Sequence, residues 1–219
     1  MTAIRVDVHP HLSPAAYLRR PAVRLPFPLD QPGCRLFARA RHGLWRALRD
    51  LGAGPGDEVL APAYHHGSEI ETLRRAGLRP RFYEATETLA PDEAELEALL
   101  GPRVRALHLV HYLGFPQDAP RWRAWCDERR LLLIEDAAQS WLSSIDGTPV
   151  GAWGDVAFFS LYKTVALADG AAVIVRGRPP ADNGVRGIGA LQASHDFRDH
   201  VLDERLVHLA SPRFVSREP

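Results

Sequence analysis

Between residues 57 and 140 short apolar runs alternate with segments of helical periodicity, and this alternation restricts the chain more than any other feature. The apolar runs are DEVLAPA (57–63), RPRFYEA (79–85), VRALHLVHYLG (104–114) and LLLIED (131–136). Between them lie SEIETLRRAGL (68–78), PDEAELEALLG (91–101) and RWRAWCDERR (121–130). Strand, helix and strand in repeated succession predict βαβ units, because parallel strands need a crossover and a helix supplies it. LLLIED has no polar alternation, as expected of a strand covered on both faces. The predicted fold class is α/β, a mainly parallel central sheet with helices on both faces.

The flanking segments extend this frame. RLFARARHGLWRALRDLG (35–52) carries apolar residues at helical spacing and reads as one helix ended by Gly52. Ser68 is the expected N-cap of the next helix and Gly77 its stop, while Pro91 is expected in the first turn of the third. IDGTPVG (145–151) reads as a hairpin turn, and DVAFFSL and AAVIVRG as two further strands. The expected domains are an irregular, proline-rich N-terminal arm over 1–34, a large unit over 35–176 and an atypical tail over 177–219. The GIG of that tail lacks the spacing of a dinucleotide fingerprint.

Net charge narrows the function classes. Lys and Arg together number 27 and so do Asp and Glu, a zero balance that removes the broad electrostatic case for nucleic acid or an acidic membrane. No apolar run approaches the roughly 18 residues of a membrane span, and the N-terminus has no apolar signal core. Cys34 and Cys126 have no CxxC spacing and read as free thiols of a reducing compartment, so a cytoplasmic protein is expected.

Only one of the 27 basic residues is lysine, Lys163. Base composition accounts for the arginines but not for the exception, since on a solvated surface Arg serves as well. Lysine has a primary amine that condenses with a carbonyl, whereas guanidinium stays protonated and does not. Lys163 follows three residues after Ser160, Asp136 ends the run LLLIED and Gln139 lies three residues beyond it. Ligands of such sheets bind outside the carboxyl ends of the strands, where all of these residues fall. An acid that faces a pyridinium nitrogen, a lysine that anchors a carbonyl and a serine that holds phosphate together point to pyridoxal phosphate. The plainer alternatives are a solvated lysine and an aspartate that caps a helix beginning with AAQS.

The blocks GPGDEV, VHYLG, IEDAAQ, VGAWGD and a lysine seven residues before Gly170 occur in order over residues 35–176. They resemble the DegT/DnrJ/EryC1/StrS family, pyridoxal-phosphate enzymes of fold type I that are mostly sugar aminotransferases. The resemblance implies that Lys163 anchors the cofactor and moves the proton. Asp136 would pair with the ring nitrogen, Gln139 with the ring or its oxygen, and Ser160 with the phosphate. His66 stands where the family places an aromatic residue over the ring. The Ser-Gly-Thr phosphate segment of the family aligns with Arg39-Ala40-Arg41, so Ala40 and Arg41 take the phosphate position. The implied reaction moves an amino group from an amino-acid donor to a keto-sugar carried on a nucleotide, in a homodimer.

Several positions depart from the pattern. Trp141 replaces a histidine, Ala168-Asp169-Gly170-Ala171 replaces a glycine-rich turn, and Ser160 and Lys163 are two residues closer than usual. Nothing after Val175 resembles the family's small C-terminal domain. These departures keep two alternatives in view. One is a truncated, catalytically degenerate homologue that acts as a binding or dimerisation partner. The other is a pyridoxal-dependent sugar dehydratase on the same scaffold.

Overall fold

The four strands predicted between residues 57 and 140 lie side by side and parallel in one sheet. The structure is a computed structural model that describes residues 25–165, 167 and 169–177. In chain order it contains β1 (Arg35–Phe37), α1 (Ala40–Asp50), β2 (Glu58–Pro62), α2 (Ser68–Arg75), β3 (Arg79–Tyr83), α3 (Glu93–Leu99) and β4 (Val104–Val110). Then come α4 (Ala119–Arg129), β5 (Leu132–Asp136), the two-stranded ribbon β6 (Ser144–Ile145) and β7 (Thr148–Pro149), β8 (Val156–Ser160) and β9 (Ala171–Val175). The sheet order is β1-β9-β8-β5-β4-β2-β3, parallel from β8 through β3, with β9 antiparallel between β8 and β1. The predicted tail lies outside the described residues apart from Gly177, as do residues 1–24 of the arm; residues 25–34 form turns.

Side-chain alternation along the strands builds two cores. Val59, Ala61, Ala106, Ile134, Val156 and Phe158 face α1 and α2. Leu60, Leu107, Leu109 and Leu133 face the other way, against Leu96 of α3 and Trp122, Trp125 and Cys126 of α4. Every residue of β2 and β8 is buried, as a strand covered on both faces requires. Cys34 and Cys126 are both free thiols. Burial pushes Cys126 up to about 12 and, with Asp30 nearby, Cys34 up to about 11.

Local periodicity misplaced three boundaries. The helix expected over 35–52 begins only at Ala40, because Arg35–Phe37 finds backbone partners on β9, through Arg35–Val173 and Phe37–Ala171. That pairing spans the whole described unit and leaves no trace in local spacing. Gly67 rather than Ser68 caps α2, and the Ser68 hydroxyl bonds the Glu69 side chain instead. Asp92 caps α3 by accepting from the Glu95 amide at 2.9 Å, so Pro91 stands before the cap rather than inside the helix. The close approach of α1 to the sheet needs Gly43: a Cβ there would collide with Val173 Cγ2 and lie 2.8 Å from the Phe37 ring.

One buried carboxylate ties the end of β5 to the loop after β4 and to the segment that leads into β8. Glu135, fully buried on β5, accepts backbone N–H groups from Gly151 at 2.9 Å and Trp153 at 2.8 Å, and also from Gly154. His111, just beyond β4, meets it through Nε2 at 3.1 Å. The Gln117 amide donates to His111 Nδ1 at 3.0 Å, so Nδ1 carries no proton and Nε2 is the donor toward Glu135. With four donors on two oxygens, a neutral amide at this position would turn an NH2 group against N–H donors. Glu135→Gln is therefore expected to lower stability by about 3 kcal/mol in urea unfolding. A loss below about 1 kcal/mol would show that the clamp is dispensable.

Candidate active site

The carboxyl ends of β2, β4, β5 and β8 and the N-terminus of α1 surround a cleft of about 300 Å³. All seven residues singled out in the sequence line it: Lys163, Asp136, Gln139, Ser160, His66, Ala40 and Arg41. Four separate segments, 40–41, 66, 136–139 and 160–163, bring them together. Alternation explains part of the convergence. Asp136 and Ser160 end β5 and β8 on the face that holds Ile134, Val156 and Phe158, while Glu135 and Phe159 point the other way.

Asp136 is 6% exposed, and its Oδ1 accepts the Ala138 amide at 2.9 Å. No helix follows for it to cap: a turn does, whose Ala138 amide takes one oxygen and leaves the carboxylate in the cleft wall. Gln139 gives its Oε1 to the Leu113 amide at 3.0 Å, which leaves its NH2 group without a protein partner among the described residues. Ser160 is buried and forms the last residue before one turn of 3-10 helix, Leu161–Lys163. Lys163 ends that turn, exposed, with no ion pair among the described residues. The turn is held by the Thr164 and Val165 amides on the Leu161 carbonyl and by Leu161 N on Gly170 O.

Arg39 is extended and no side chain caps α1. The first N–H groups of the helix therefore present their partial positive charge at the cleft together with Arg41, and no acid occupies the first turn. The Arg39 guanidinium stacks on the Tyr162 ring at 4.9 Å, next to Lys163. Basic side chains thus stand where a Ser-Gly-Thr segment would present hydroxyls.

The opposite wall is aromatic and acidic. Tyr112 donates to the Tyr64 carbonyl at 2.7 Å, and burial, with Asp136 and Glu69 nearby, pushes its hydroxyl well above the usual tyrosine range. Burial opposes ionisation of Glu69, yet its carboxyl is held below the usual range. Hydrogen bonds from its own amide and from His66 N, the charge of His108 and the Ser68 hydroxyl outweigh the desolvation. Sequence reasoning missed Glu69 and His108. Glu69 reads as an ordinary first-turn acid of α2, and the one available signal for His108 was a histidine inside an otherwise apolar strand. Trp141, which departs from the family pattern, has a structural use: its Nε1 donates to the Phe27 carbonyl at 2.8 Å and fastens the segment before β1.

The residue set fits a flat, phosphorylated aldehyde cofactor. It offers a cationic helix N-terminus with a buried hydroxyl, a buried carboxylate and an unpaired primary amine around one cleft. Comparison with known proteins agrees in fold and motif. A UDP-N-acetyl-3-dehydro-alpha-D-glucosamine 3-aminotransferase of Acidithiobacillus ferrooxidans is 32% identical over 169 residues, 74% of this chain and 45% of that relative. A dTDP-3-amino-3,4,6-trideoxy-alpha-D-glucose transaminase of Streptomyces venezuelae is 38% identical over 134 residues, 58% of this chain and 35% of the relative. The crystal structure of S. venezuelae DesV in complex with a ketimine intermediate superposes with a TM-score of 0.61 at 28% identity, over 78% of this chain and 53% of that one. The chain thus spans less than half the length of the curated relatives it matches. The model of the DegT/DnrJ/EryC1/StrS aminotransferase family matches residues 36–182, which is more than half of the chain and includes every residue of the cleft, and the chain belongs to that family.

Proposed function

We propose that residues 35–176 form the cofactor-binding unit of a pyridoxal-phosphate-dependent aminotransferase. It transfers an amino group from an amino-acid donor to a keto-sugar carried on a nucleotide. The observation that carries this reading is the convergence on one cleft of the chain's lone lysine, Asp136, Ser160 and the arginine-flanked N-terminus of α1. Family membership supports it, as do relatives named as aminotransferases of nucleotide-linked sugars. Those named activities favour amination over the dehydratase alternative.

Bound pyridoxal phosphate supplies an electron sink and carries the amino group between donor and acceptor. Lys163 Nζ would anchor the cofactor through its primary amine and, when free, would hold and return a proton as general acid and base. Asp136, its Oδ1 held by Ala138 N–H, would face the ring nitrogen and keep the proton there. Arg41, the amide of Ala40 and the Ser160 hydroxyl would hold the phosphate, with charge in place of a hydroxyl-and-glycine cradle. The unengaged NH2 of Gln139 would serve the ring or its oxygen, and the His66 imidazole would stack on the ring.

We further read the working unit as a homodimer of the cytoplasm. Leu113 and Phe115, 75% and 74% exposed in the loop after β4, stand with exposed Tyr64 and Leu142 on the carboxyl-end loops. An apolar rim of this kind beside a site is a surface that a second copy covers. The free thiols support a reducing compartment.

Two experiments test these readings. Chain loaded with pyridoxal phosphate and given L-glutamate and a nucleotide-linked keto-sugar is expected to yield the amino sugar by mass spectrometry. Lys163→Ala should lower the rate about 10²- to 10⁴-fold, and Arg41→Ala should raise the cofactor dissociation constant about tenfold. Wild-type chain that neither binds the cofactor nor transfers the amine contradicts the proposal. By sedimentation equilibrium the wild type is expected to be a dimer and Phe115→Glu a monomer, and a monomeric wild type would overturn the dimer.

A further inference from the structure

β4 is apolar apart from exposed Arg105 and His108. His108 is fully buried, and neither ring nitrogen has a hydrogen-bond partner. An imidazole left unpaired in a core is costly, and packing alone would favour Leu or Val at this position. What distinguishes the site is its charge. Nε2 of His108 lies 3.6 Å from Asp136 Oδ2, just beyond hydrogen-bond distance. Glu69, buried on α2, interacts electrostatically with the same imidazole. The Phe158 ring closes the pocket at 6.1 Å between centroids, tilted by 30°. Asp136 Oδ1 is already taken by Ala138 N–H, so His108 addresses the second oxygen.

We propose that His108 is a positioning residue. Its imidazole, beside the Asp136 Oδ2 that the Ala138 amide leaves free, fixes the orientation of the carboxylate that the cofactor's ring nitrogen would meet. His108 does not line the cleft and acts only through Asp136. This inference rests on the cofactor reading above for its consequence, but the pairing itself does not.

The test has two arms. In the first, the cofactor-free chain is labelled with ¹⁵N-histidine and the His108 ring signals are assigned by their loss in His108→Phe. Asp136→Asn and Glu69→Gln are each expected to move those signals, because each removes a charge facing the ring. His108 signals that are the same in the wild type and both variants overturn the proposal. In the second arm, pyridoxal phosphate is titrated into wild type, His108→Phe and His108→Gln, each checked by thermal melting. His108→Phe is expected to weaken binding about tenfold, the size typical of losing the partner of a ligating group, and to shift the visible band without lowering the melting temperature. His108→Gln, whose amide still reaches the carboxylate, should recover most of the affinity. Binding and band unchanged in His108→Phe would also overturn the proposal. Should the wild type take up no pyridoxal phosphate, the cofactor reading fails and the first arm alone decides the pairing.

Discussion

The buried carboxylate of Glu135 is the constraint on which the site's geometry depends. A charge in a fully buried position is tolerable only when its lone pairs are filled, and here three backbone amides and His111 fill them. The partners lie on the loop after β4 and on the 151–154 segment that leads into β8. One side chain therefore sets the relative position of three strand ends. Asp136 is the next residue, and strand alternation turns it to the opposite face, into the cleft. The clamp and the proposed cofactor ligand are thus adjacent in sequence and on opposite sides of the sheet. Each depends on β5 holding its place between β4 and β8.

The cleft is built from opposed charges supplied by different elements. Arg41, Lys163 and the amides of α1 supply positive charge or partial charge, and Arg39 is parked on Tyr162 beside them. Asp136 and Glu69 supply negative charge on the wall formed by β5 and α2, with His108 behind them. This division suits a ligand with an anionic group at one end and a basic ring nitrogen at the other. It also accounts for the departure from the family's Ser-Gly-Thr segment. Arg39 and Arg41 bring full charge where the family's serine and threonine present hydroxyls, and Ala40 stands in the glycine's place, so in the proposed site attraction would replace close approach. The loss of the histidine at position 141 has a packing explanation in the Trp141–Phe27 hydrogen bond.

Much of the fold and most of the cleft are legible in the amino-acid sequence. The alternation of apolar runs and helical segments specifies the sheet, and the lone lysine of an arginine-rich chain falls in the cleft where the proposed chemistry needs a primary amine. Asp136 and Ser160 are legible because strand ends are where ligands bind. Other features are hidden for physical reasons. β1 exists only through its pairing with β9, more than a hundred residues away. The caps of α2 and α3 shift because Gly67 and Asp92, rather than Ser68 and Pro91, occupy the residue before each helix. His108 and Glu69 meet across two elements, so neither local spacing nor composition connects them. Glu135 reads as the polar end of an apolar strand until the loops that supply its donors are seen.

The claim at the centre of this account is that Lys163 is kept as lysine because its amine anchors the cofactor. The most direct measurement is borohydride reduction of the chain in pyridoxal phosphate, followed by peptide mass mapping. The account predicts a single stable pyridoxyl group on the peptide that contains Lys163. No pyridoxyl group on that peptide, under conditions in which free lysine is reduced, would contradict it.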